Sequence, residues 1–117
     1  MRKLTCHEPQ PITREEAESA FASGDSEEIA LALVNVTFHD PDWRWIQEKC
    51  LGFAQNDIAA VRQIAVTCLG HLARIHRVLD LDRVAPIVEE LSGDPEVQVS
   101  DALDDIQMYM KVDGRGQ

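Results

Sequence analysis

The feature that most constrains this chain is a turn that occurs three times. Ser23-Gly24-Asp25, Gln55-Asn56-Asp57 and Ser92-Gly93-Asp94 each separate two stretches of helical periodicity. In each triplet, turn-forming residues lead into an aspartate suited to accept the free N–H groups of a starting helix. The three aspartates lie 32 and 37 residues apart. A period in the thirties built of helix pairs marks an α-solenoid, in which each pair leaves an apolar face for its neighbour to cover. The sequence therefore predicts an all-α fold, a short right-handed α-solenoid of three helical hairpins, over roughly 13–39, 40–75 and 80–111.

The six helices follow from local chemistry. Thr13-Arg14-Glu15-Glu16 reads as a capping box, in which hydroxyl and carboxylate satisfy backbone N–H groups reciprocally. Asp25-Ser26-Glu27-Glu28 reads as a second box, ahead of Ile29, Leu33 and Val36 at helical spacing. Asp40-Pro41 and Asp94-Pro95 each place a capping aspartate before a proline at the first helical position. Asn56 or Asp57 is expected to cap the fourth helix, from about Ile58 to Ile75. That helix is apolar around most of its girth, which makes it the central element. Pro86 inside the fifth helix predicts a kink or a late start. No run alternates as a strand would. Residues 1–12 are expected to form an N-terminal arm, 13–111 one domain and 112–117 a polar tail.

The middle pair carries a more specific pattern. Asp57, Val61, Arg62, Ala65, Leu69 and Gly70, followed by Leu72-Ala73, resemble the second helix of a HEAT repeat. The resemblance implies three HEAT-like hairpins, with an aspartate and an arginine paired between adjacent repeats. Asp25 and Asp94 match that aspartate in the outer pairs. No arginine follows Asp25, and Gln98 stands where the third pair would carry one.

Charge limits the class of partner. The 117 residues hold 11 Lys and Arg against 21 Asp and Glu, a formal net charge of −10. Affinity for phosphate backbones comes from clustered cations, so neither a nucleic acid nor an anionic membrane is expected as a partner. No apolar run approaches the roughly 18 residues of a membrane span. The start, Met1 to Glu8, turns polar too soon for a signal peptide. Cys6, Cys50 and Cys68 are odd in number and spaced as neither metal clip nor redox motif. Cys50 and Cys68 fall on apolar faces and read as core residues, Cys6 as an exposed thiol. A reducing, cytoplasmic location fits best.

Several residues are candidates for binding. Asp101, Asp104 and Asp105 cluster mid-helix although aspartate is a poor helix former. They form a negative patch for a basic partner, pair with Arg62 or Arg74 of the preceding repeat, or simply face water. His71 and Arg74 share a helix face. They bind an anion, pair with acids across the groove, or compensate the helix dipole. Trp45 points away from the apolar face of Trp43, Ile46, Cys50 and Phe53. It anchors an interface or packs between repeats or under the arm. A lone His7-Glu8 in the arm reads as solvated. No nucleophile elbow or phosphate loop is present, so no enzyme activity, cofactor or metal is expected.

Small, acidic, bacterial HEAT-like proteins resemble immunity proteins of toxin–immunity systems, including those of contact-dependent growth inhibition. Residues 40–45, 70–76 and 101–106 carry that resemblance here (Asp-Pro-Asp-Trp-Arg-Trp, Gly-His-Leu-Ala-Arg-Ile-His and Asp-Ala-Leu-Asp-Asp-Ile). It implies a non-enzymatic protein-binding module that neutralises a cognate toxin, a basic nuclease domain, through an acidic surface. Two alternatives stand beside it. One is a generic scaffold or regulatory adaptor that binds a cellular protein. The other is a metal-dependent enzyme using His71, His76 and the aspartates.

Overall fold

Caps and short turns cut the chain into six helices. The computed structural model describes residues 11–111, with side chains described through Tyr109. The helices are α1 (Arg14–Ala22), α2 (Ser26–His39), α3 (Trp43–Phe53), α4 (Ala59–His76), α5 (Leu81–Ser92) and α6 (Ser100–Lys111). No strand occurs among the described residues. Cys6, His7, Glu8, most of the expected arm and the tail 112–117 lie outside them.

The Thr13–Glu16 capping box forms as expected, with both hydrogen bonds at 3.0 Å. Asp25 caps α2 by accepting from the N–H groups of Glu27 and Glu28. Its own N–H donates to Ser23 Oγ rather than to Glu28, so the second box is one-sided. Three starts are corrected. α3 is capped by Asp42, which accepts from Trp45 N–H, while Asp40 accepts from the N–H of Asp42. α4 opens after Ile58 with no side-chain cap; Asn56 instead accepts from Ile58 N–H in the turn.

The third correction is the largest. Asp94-Pro95 opens only a turn, and α6 starts at Ser100. Gln63 of α4 accounts for the delay. Its Oε1 accepts from Gln98 N–H at 2.7 Å, and its Nε2 donates to Gln98 carbonyl oxygen at 2.9 Å. One side-chain amide thus takes both backbone groups of Gln98, whose N–H a helix running from Asp94 would need for itself. Pro86 lies within α5. The helix starts where expected, after Asp80, whose N–H donates to Oε1 of the buried Gln47.

The helices stack in two layers. α2, α4 and α6 lie side by side with α4 between the other two, and α4 also packs on α3. In the other layer, α1 meets α3 through a Phe21–Phe53 ring contact of 5.3 Å. α3 meets α5 through a two-pronged Glu48–Arg83 ion pair. The core runs through the middle. Val61, Ala65, Cys68, Leu69 and Leu72 of α4 are fully buried, and burial of each large apolar side chain contributes about 1.5–3 kcal/mol. Cys50 of α3 is buried too; the adjacent Cys68 and burial both push its thiol pKa well up, so it stays protonated. Gly70 shows how close α4 and α6 come: a Cβ built there would lie 2.8 Å from Ala102 Cα.

Candidate partner-binding surface

That close approach fixes α6, and α6 carries the acidic cluster. Ala102 and Ile106 face the core, which leaves Asp101 and Asp104 exposed and Asp105 half-buried. Among the described residues, none of the three is in an ion pair with a basic side chain. Arg62 is committed elsewhere, its Nε 2.9 Å from Asp94 Oδ2 and its Nη1 donating to the carbonyls of Asn56 and Asp57. This joins the arginine of the second pair to the turn aspartate of the third, one rung of the contact expected between repeats. Glu96 N–H, and after it Arg62, hold the Asp94 carboxyl below its ordinary range.

Asp105 instead lies near the basic end of α4. Arg74 donates from Nη2 to His71 Nδ1 at 2.8 Å. A guanidinium has no acceptor, so His71 is the Nε2–H tautomer with Nδ1 as acceptor. Burial and then the Arg74 charge lower the His71 pKa, against an opposing pull from Asp105. Phe38 of α2 backs the pair, its ring 5.3 Å from that of His71. His76 Nε2 donates to Thr37 carbonyl oxygen, and Arg77 lies over the Tyr109 ring at 4.9 Å. The side chains at the end of α4 thus contact both α2 and α6. No group of three His, Cys, Asp or Glu among the described residues is placed to share a metal ion.

Trp45 lies elsewhere, on α3 against α1. Its Nε1 donates to Glu18 at 3.2 Å, the Arg14 guanidinium lies 4.0 Å from its ring centre, and Phe21 packs beside it. The ring is committed to the first two pairs. Glu18 also accepts from Lys49, which holds its carboxyl below the usual range. The structure therefore brings together Asp105, His71 and Arg74, sets Asp101 and Asp104 on the same helix, and separates Trp45 from all five.

Charge is concentrated where these residues lie. Residues 78–109 carry nine carboxylates and a single base, Arg83, which pairs with Glu48 on α3. Among the described residues, no helix is long and apolar enough to cross a membrane.

No protein-family model matches the chain, and no curated protein does. Among solved structures, a chain in the crystal structure of a CDI complex from Cupriavidus taiwanensis LMG 19424 is similar to it. The two share 35% sequence identity; the match covers 92% of this chain and 98% of the other, with a TM-score of 0.79.

Proposed function

The chain belongs to the same family as that chain of the CDI complex, and from this kinship we propose that it is the immunity protein of a contact-dependent growth inhibition pair. It binds a cognate toxin in the cytoplasm and neutralises it by occupying its working surface. The end-to-end similarity to a component of such a complex carries the reading. The distribution of charge supports it. A nuclease toxin grips a phosphate backbone with Lys and Arg, and an acidic surface without internal partners competes for those cations. The same field speeds association, since charge complementarity acts mainly on the encounter rate. The contact surface on this reading is Asp101, Asp104 and Asp105 of α6, with His71 and Arg74 at its edge. Trp45 serves the packing of α1 on α3.

The test is co-expression with the toxin domain encoded beside this chain. Growth protection, together with a stable complex of the two purified proteins, is the expected result. A toxin that kills at full strength and forms no complex overturns the proposal.

A further inference from the structure

The third helical pair is built differently from the first two. α5 alone has no backbone running close alongside another helix. An open cleft of about 270 Å³ separates it from α6. Leu81, Val84, Val88 and Ser92 line one wall at helical spacing along three turns of α5, and Leu103 and Ile106 of α6 form the other. Two of these residues keep much of their surface in water, Leu81 at 41% and Leu103 at 36%. Glu89 stands in the same lining.

We propose that this cleft seats an amphipathic, basic helical segment of the partner protein, with apolar side chains in the cleft and flanking Lys or Arg over its acidic lips. The inference rests on the immunity reading and adds the chemistry of the partner's docking segment. Size is one argument. The cleft falls just below the roughly 300–1,000 Å³ of small-molecule sites, and an open apolar slot of this kind takes a row of side chains projected from a larger body. Shape is another. The apolar stripe of Leu81, Val84 and Val88 is about two turns long, the span of apolar anchors at i, i+3, i+4 and i+7 of a docking helix. Charge decides between occupants. Glu89 at the cleft and Asp104 beside Leu103 favour cations around an apolar stripe. They disfavour a second copy of this chain, which would set like charges against each other. The tail 112–117 holds one apolar residue, Val112, and cannot supply the row.

Two titrations test this. The first uses a synthetic helix with Leu at i, i+3, i+4 and i+7 and Lys elsewhere, against a peptide of the same composition in scrambled order, read by amide chemical shifts. Saturable shifts confined to α5 and α6, and affinity at least about tenfold weaker in Leu81→Ser/Leu103→Ser and in Glu89→Lys, are expected. Equal binding of the scrambled peptide, or affinity unchanged in these variants, overturns the proposal. Both leucines are partly exposed, so the variants should keep the wild-type circular dichroism; Glu89→Lys covers the case in which they do not. The second titration uses the toxin domain. Toxin binding that the variants leave intact refutes the cleft as its seat while immunity stands. Peptide binding without toxin binding refutes immunity while the cleft stands. Self-association of the free chain that the leucine variants abolish would assign the cleft to a second copy and overturn the proposal.

Discussion

Gly70→Ala should destabilise this protein, although alanine is the better helix former. Helix propensity alone favours alanine by about 0.8–1.0 kcal/mol in a helix interior. Against that stands Ala102. A Cβ on residue 70 would lie 2.8 Å from Ala102 Cα and 3.1 Å from its Cβ, whereas carbon atoms pack at roughly 3.5–4.0 Å. α6 must therefore retreat by roughly 0.7–1.2 Å, loosening Ala102 and Ile106 in the core, and such overpacking costs about 1–3 kcal/mol. The net is a loss of up to about 2 kcal/mol, or several degrees in Tm for a domain of this size. Gly52 is the internal control. It lies in α3 with nothing within 4 Å of an added Cβ, so Gly52→Ala should stabilise by up to about 1 kcal/mol. Adding Ala102→Gly to Gly70→Ala should restore only part of the loss, because the closest atom is backbone. Urea unfolding of the four proteins reads these signs directly. A Gly70→Ala variant stabilised as much as Gly52→Ala would refute the close approach of α4 and α6, and with it the placement of the acidic face.

Three further outcomes are expected. The His71 pKa is depressed in the folded state, so between that value and the unfolded value of about 6.5 the unfolded chain binds more protons. Stability from this group is complete above about pH 6.5 and falls as pH drops below it; urea unfolding from pH 7.5 downward should show this limb in the wild type and not in His71→Gln. Reversing Asp101, Asp104 and Asp105 to Lys should weaken toxin binding by well over about tenfold and flatten its salt dependence; calorimetric titration at two ionic strengths returning the wild-type affinity would remove these residues from the contact. Gln63→Ala removes both bonds to Gln98, partly replaced by water, and should cost about 1 kcal/mol; hydrogen exchange at the Gln98 amide should accelerate, and unchanged protection there would contradict the clamp.

Much of the helical order was legible because it is local. The Thr13 box, the Asp25 cap and the apolar period of α4 each depend on residues within one or two turns. Two misplaced caps, at Asp40 and Asn56, are shifts of two residues within a turn; the largest error falls where a distant residue decides. Asp94-Pro95 has the local form of a helix start, yet Gln63, 35 residues upstream, holds Gln98 in another conformation. Trp45 showed a similar limit. Its angle on α3 excluded it from the α3 apolar face, but whether it met solvent or α1 depended on Glu18 and Arg14, in another hairpin.

The same logic explains why the acidic surface was easier to foresee than the cleft. A carboxylate without a partner leaves a trace in composition: Asp104 and Asp105 lie mid-helix, where aspartate is a poor former, whereas the late start of α6 puts Asp101 in its first turn rather than mid-helix as expected. A cleft is a property of two helices that diverge, and α5 reads in isolation like any other amphipathic helix. Its stripe of Leu81, Val84 and Val88 implies burial against something, and no periodicity says whether that something is α6 or another protein. The late start of α6 bears on this. Had α6 begun at Asp94, it would have run longer beside α5, as α2 and α4 do beside their partners. Because Gln63 delays it to Ser100, a clamp between the second and third pairs shapes the pair that carries both the acids of α6 and the open apolar stripe. The Gln63→Ala variant should therefore alter partner affinity as well as stability, although Gln63 itself does not line the cleft.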